Sequence, residues 1–158
     1  MSHADYSKLI DAICELKKIE PSPAHHHKLD IAVEGSAVTL LPSGYGGEAE
    51  ALAYFVDFGA LPQEDRETAL ARLLETNLFM IGRDSPTFCL NPDTNHVLLA
   101  GSIPLERTTP ESLLESLSGF AEYAAYWRAS HFLAPEERGA AGPHRAGTHV
   151  PFGTRLHP

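Results

Sequence analysis

The chain has 158 residues, which suits one domain, and 43% of them are hydrophobic, enough for a packed core and against global disorder. Twelve Lys and Arg stand against 21 Asp and Glu, a net charge of −9. Such a surface repels phosphate, which argues against nucleic acid and anionic membrane as partners. The two cysteines, Cys14 and Cys89, are too few for a disulfide scaffold and fit a reducing cytosol. The N-terminal stretch mixes acids and lysines with its apolar residues, unlike a signal peptide. No run approaches the ~20 apolar residues that span a bilayer. The expectation is a soluble, cytoplasmic protein without membrane insertion.

In chain order, a helix is expected over 5–18, where Tyr6, Leu9, Ile10, Ile13 and Cys14 recur at helical spacing. The prolines of "EPSPAHHH" end it. "KLDIAVEG" alternates Leu29, Ile31 and Val33 with Asp30, Ala32 and Glu34, as in a strand with one buried face. "AVTLLP" reads as a second strand, "PSGYGGE" as a loop and "ALAYFVDFGAL" as a third strand. The third strand is apolar on both faces, which predicts cover on both sides. "LPQEDRETALARLLETN" reads as a second helix with Pro62 in its first turn and Asn77 at its end. A hairpin follows, 87–90 against 96–103, with "NPDTN" as its turn. The third helix runs from about Thr109 to about His131 with the stripe Leu113, Leu114, Leu117, Phe120, Ala121, Ala124 and Trp127.

From Leu133 the chain is rich in Gly, Pro, His and Arg, without periodicity. Three Arg against two Glu give that stretch +1, which leaves −10 on the preceding 132 residues. The division expected is a domain over 1–132 and a tail over 133–158 that does not fold alone. The order α-β-β-β-α-β-β-α predicts an α+β sandwich, an antiparallel sheet with helices on one face.

Signals for chemistry are weak. His25, His26 and His27 are adjacent, and adjacent side chains do not converge on one ion as i,i+4 helical pairs do, so a solvated loop before the first strand is expected and no metal site. "GYGG" at 44–47 lacks the Lys-Ser/Thr of a phosphate loop, and Glu48 and Glu50 would repel an anion. Neither cysteine has a basic or helix-start neighbourhood, and Asp30 and Asp57 are not placed together by any pattern. No catalytic residue and no cofactor is assigned. What remains is apolar surplus. Three helices can cover one face of the sheet but hardly both, and "LFMI" at 78–81 adds four large side chains after Asn77. The surplus calls for a second copy, a partner or both.

Over about residues 5–132 the pattern resembles the CesT/Tir-type chaperones of bacterial type III secretion. The segments that carry the resemblance are "FGALPQEDRETALARLLETNLFM", "FCLNPDTNHVLLAGSIPL" and "LLESLSGFAEYAAYWRASHF", with Trp127 in the aromatic end of the last. The resemblance implies an acidic cytoplasmic homodimer that holds the N-terminal segment of a secreted effector in extended form, soluble and competent for secretion. It also implies a protein that is not an enzyme and needs no nucleotide. Secretion ATPase or sorting components are further partners it implies. The His/Pro segment before the first strand and the long basic tail depart from the family pattern. On that basis the dimer seam is expected at Leu70, Leu74, Leu78 and Phe79. The effector surface is expected at Ile10, Leu29, Ile31, Leu40, Phe88, Leu90, Val97 and Leu99. Two other readings stand beside this one: a ligand-sensing regulatory module of similar fold, and a His-dependent metal enzyme.

Overall fold

The computed structural model describes residues 3–44, 49–82 and 85–134. Most of the GYGG loop and most of the tail fall outside these residues. Helix α1 (His3–Lys17) buries Tyr6, Leu9, Ile10, Ile13 and Cys14, the i, i+3, i+4, i+7, i+8 stripe. Lys18 takes a left-handed φ of 56°, and Ile19 N–H closes onto Cys14 C=O at 2.8 Å. Ser22 then opens a short 3-10 turn (Pro23–His26) by accepting from Ala24 N–H. The expected solvated loop is therefore partly docked. His26 Nε2 lies 2.8 Å from Asp11 Oδ1, and His25 Nδ1 lies 3.6 Å from Cys14 Sγ.

Strands β1 (Leu29–Val33) and β2 (Ser36–Ser43) form a hairpin whose two-residue turn, Glu34 and Gly35, has φ of 45° and 78°. Two positive φ values are what a tight hairpin with right-handed strand twist requires. Strand β3 (Ala51–Ala60) pairs with β2 and with β5 (His96–Pro104), and β4 (Thr87–Leu90) pairs with β5. The sheet is antiparallel in the order β1-β2-β3-β5-β4, so β1 and β4 are its edges. A bulge interrupts β3 between Asp57 and Gly59. Asp57 holds it: its carboxylate accepts Gly59 N–H at 2.7 Å and meets His96 Nδ1 at 2.9 Å. Gly59 needs its φ of 100° here, and the Arg128 stem lies over it.

One face of the sheet is dry. Leu52, Tyr54, Val56 and Phe58 of β3 are all at or below 2% exposure. Helix α3 (Pro110–Ser130) lies on this face against β3, β1 and β2, and α1 packs on α3. The start of α3 is fixed by a capping box between Thr109 and Ser112, with Pro110 in the first turn. Its predicted stripe is the one observed. Tyr54 stacks on Phe120 at 5.3 Å, and Phe58 meets Phe88 and Tyr123 edge-on. Around the end of α3, Trp127, His131 and Phe132 complete an aromatic cluster, and Leu133 is buried with the core one residue past the expected boundary.

Three expectations need correction. The outer face of β3, with Ala51, Ala53, Phe55 and Asp57, is half-exposed rather than covered, because α1 and α3 share the inner side. Helix α2 is Arg66–Phe79, not a helix opening at Pro62. Asp65 has a left-handed φ of 58°, which stops helical geometry from propagating back, and Leu61 N–H is bonded to Asn95 C=O. Asn77 does not end α2; the helix runs through it to Phe79.

Burial pushes Tyr6 and Tyr54 up to about 12, and burial followed by Asp11 pushes Cys14 up as well. The folded protein keeps these groups neutral, whereas the unfolded chain releases the tyrosine protons near pH 10. Their contribution is therefore whole below pH 10 and is lost as pH rises from about 10 to about 12. Urea midpoints measured at about pH 9 and about pH 11 should fall between the two; equal midpoints would contradict the burial of these hydroxyls.

Candidate functional site

Helix α2 stands apart from the other two helices. Its main contacts are with β4 at the sheet edge, and only Ala69 and Leu73 are buried. Leu70, Leu74 and Leu78 recur every four residues and share one stripe. Leu70 is half-buried, while Leu74 is 69% exposed and Leu78 55%. Phe79, about 100° further round the helix, is 86% exposed, and Ile81 beyond the helix end is 78% exposed. Leu74, Leu78, Phe79 and Ile81 are four exposed large apolar side chains within eight residues, a density that a lone chain rarely leaves wet. Between this helix and β4 lies an apolar groove of about 240 Å³, lined by Leu70, Leu73, Leu74, Asn77, Phe88, Cys89, Leu90 and Val97.

The predicted dimer residues are thus all at the surface or half-buried on α2, grouped on one element. The predicted effector residues are not grouped on a surface. Ile10, Leu29, Ile31, Leu40, Phe88, Val97 and Leu99 lie in the core, none above 6% exposure. Their side chains belong to the one core, and Phe88 and Val97 also line the groove beside α2. Leu90 alone of that set is exposed, at 37%.

The two sheet edges differ. In β4, Phe88 N–H donates to Asn77 Oδ1 at 2.7 Å, and Asn77 Nδ2 donates to Phe88 C=O at 3.2 Å. At the other edge, no described backbone bond beyond its pairing with β2 engages Leu29–Val33. The outer flank of β1 is polar: Lys28 Nζ lies 2.9 Å from Asp30 Oδ2, and this pair with the Thr39 hydroxyl holds the Asp30 carboxyl below the usual carboxylate range. The role of Asn77 was not legible as a contact; its only sequence signal is an amide inside a helical stretch whose apolar spacing continues past it.

Among the described residues no three His, Cys, Asp or Glu side chains converge as metal ligands, and His25 and His26 face different partners. Asp57 and Asp30 lie on the same sheet but bond to His96 and to Lys28 and Thr39 respectively. No helix of the described residues is long and apolar enough to cross a membrane.

An antiparallel sheet backed by helices on one side, with one strand edge open and an unpartnered apolar helix, has the parts of a peptide-binding protein. The Tir chaperone protein (CesT) family model matches residues 14–128, and the chain belongs to that family. The fold is similar to a chain of the HopA1-SchA chaperone–effector complex, with 21% identity, a TM-score of 0.61 and coverage of 81% of this chain and 96% of that one. It is also similar to a chain of the ExsC-ExsE complex, at 19% identity and a TM-score of 0.65, covering 82% and 96%. A chain of the ExoT-SpcS complex from Pseudomonas aeruginosa gives 17% identity and a TM-score of 0.55, covering 77% and 96%. The search of curated protein sequences gives no match.

Proposed function

We propose that this chain, a type III secretion chaperone by family, works as a homodimer that holds the N-terminal segment of a secreted effector in extended form. The open β1 edge carries this reading. An extended segment adds to such an edge through main-chain hydrogen bonds, while its side chains enter apolar surface beside it. Leu29 and Ile31, expected to touch the effector, turn their own main-chain groups to β2, and the groups that face outward along β1 are those of Asp30 and Ala32. Leu90 supplies apolar contact elsewhere. Two copies meet along Leu70, Leu74 and Leu78, with Phe79 at the rim of the seam. The protein acts in the bacterial cytoplasm by binding alone, without catalysis, and hands its cargo to ATPase or sorting components of the secretion apparatus. Ordering a disordered segment costs ~2–5 kcal/mol or more, so a broad surface is needed to offset it.

Copurification tests this. The chain should bring down one large protein through that protein's first ~100 residues and shield that region from protease, as coupled folding requires. Amide exchange in Leu29–Val33 should slow when the client is bound. A client that leaves β1 exchange unchanged would move the binding site elsewhere, and the absence of any client would end the carrier reading.

A further inference from the structure

In an antiparallel strand the N–H and C=O of one residue point to the same side. Both groups of Phe88 bond to Asn77, so both point away from β5, toward the open side of β4. The same side is presented two residues on, at Leu90, while Thr87 and Cys89 point to β5. A strand of four residues therefore has two outward positions, and Asn77 saturates one of them. A side-chain amide offers one acceptor and one donor side by side, which is what a neighbouring strand residue would offer. It replaces that strand with a single residue carried on a helix.

We propose that Asn77 closes the β4 edge against strand addition, so that the sheet accepts an added strand only along β1. Unpaired edges invite pairing with any extended chain, and covering the edge with a helix is one way of preventing it. The carrier reading underlies the second half of this statement: with one edge sealed, a captured segment has one edge to join. The closure itself concerns the free protein and needs no client.

The experiment uses the full chain and the variants Asn77→Ala and Asn77→Asp. Aspartate keeps the acceptor for Phe88 N–H and loses the donor to Phe88 C=O, with nearly unchanged shape. Exchange at the Phe88 amide should be at least about tenfold faster in Asn77→Ala than in the native chain, with Asn77→Asp between them. Cys89 is exposed on β4 and Cys14 is buried, so a short thiol cross-linker reports on β4 alone. Two β4 edges paired antiparallel bring their Cys89 side chains together, and cross-linking should rise several-fold in Asn77→Ala. Unchanged Phe88 exchange overturns the proposal, as does efficient Cys89 cross-linking of the native chain. Faster exchange without added cross-linking also overturns it, because the body of α2 would then close the edge. Should Asn77→Ala lose its fold, the order of native chain and Asn77→Asp decides. Failure of the carrier reading appears in the copurification and leaves the exchange result standing.

Discussion

Replacing Leu74 and Leu78 with glutamate should convert the proposed homodimer into a soluble monomer. Both side chains are more than half exposed in the single chain, so their loss removes little from the core, and folding stability should move by about 0.5 kcal/mol or less. In a two-fold seam each leucine occurs twice. Fully burying one is worth about 1.5–3 kcal/mol, and somewhat over half of each side chain is left to bury, so four lost leucines remove about 4–7 kcal/mol. That is roughly four orders of magnitude in dissociation constant. Four carboxylates brought together add repulsion. A Phe79→Glu change, off the shared stripe, should weaken association less. Sedimentation or light scattering gives the mass, and circular dichroism checks the fold. An unchanged mass would remove the seam from α2; loss of helix would mean these side chains support the core.

Trp127→Ala should be the most damaging single change to the fold itself. The ring is fully buried, edge-on to His131 at 5.2 Å and to Phe132 at 5.1 Å. Its removal leaves a cavity at the junction of α3 with the last described residues, at a cost of about 3–5 kcal/mol. Native domains hold about 5–15 kcal/mol in all, so a large part of the stability goes. Indole Nε1 is buried with no hydrogen-bond partner among the described residues. Trp127→Phe removes that unsatisfied donor while keeping most of the ring, so it should cost clearly less than alanine. Urea unfolding must be followed by circular dichroism, since Trp127 is the chain's one tryptophan. Equal losses for Phe and Ala would mean that the indole nitrogen has an acceptor.

Local pattern carried most of the fold. Leu29, Ile31 and Val33 alternate because β1 has one dry face, and the stripe of α3 recurs because one side of a helix meets the sheet. Such periodicities survive any arrangement of the elements, since they record only that a covered face exists. Alternation does not say what covers it. That is why Ile10, Leu29, Ile31, Leu40, Phe88, Val97 and Leu99, the most regular apolar positions, were expected at a surface and lie in the core. Leu74 and Leu78, at helical spacing on α2, are exposed together with Phe79 and Ile81. The start of α2 was misplaced for a local reason that composition hides: Asp65 adopts a left-handed conformation, and Pro62 precedes the helix instead of opening it.

The sequence by itself determined the element order, the acidic exterior and a surplus of apolar side chains around residues 74–81. Those follow from spacing and composition, which act over a few neighbouring residues. Only the tertiary structure decided where the surplus stands and which sheet edge is open. Both depend on α2 lying at the β4 edge instead of over the sheet, and on a contact between Asn77 and Phe88, eleven residues apart, that no periodicity encodes.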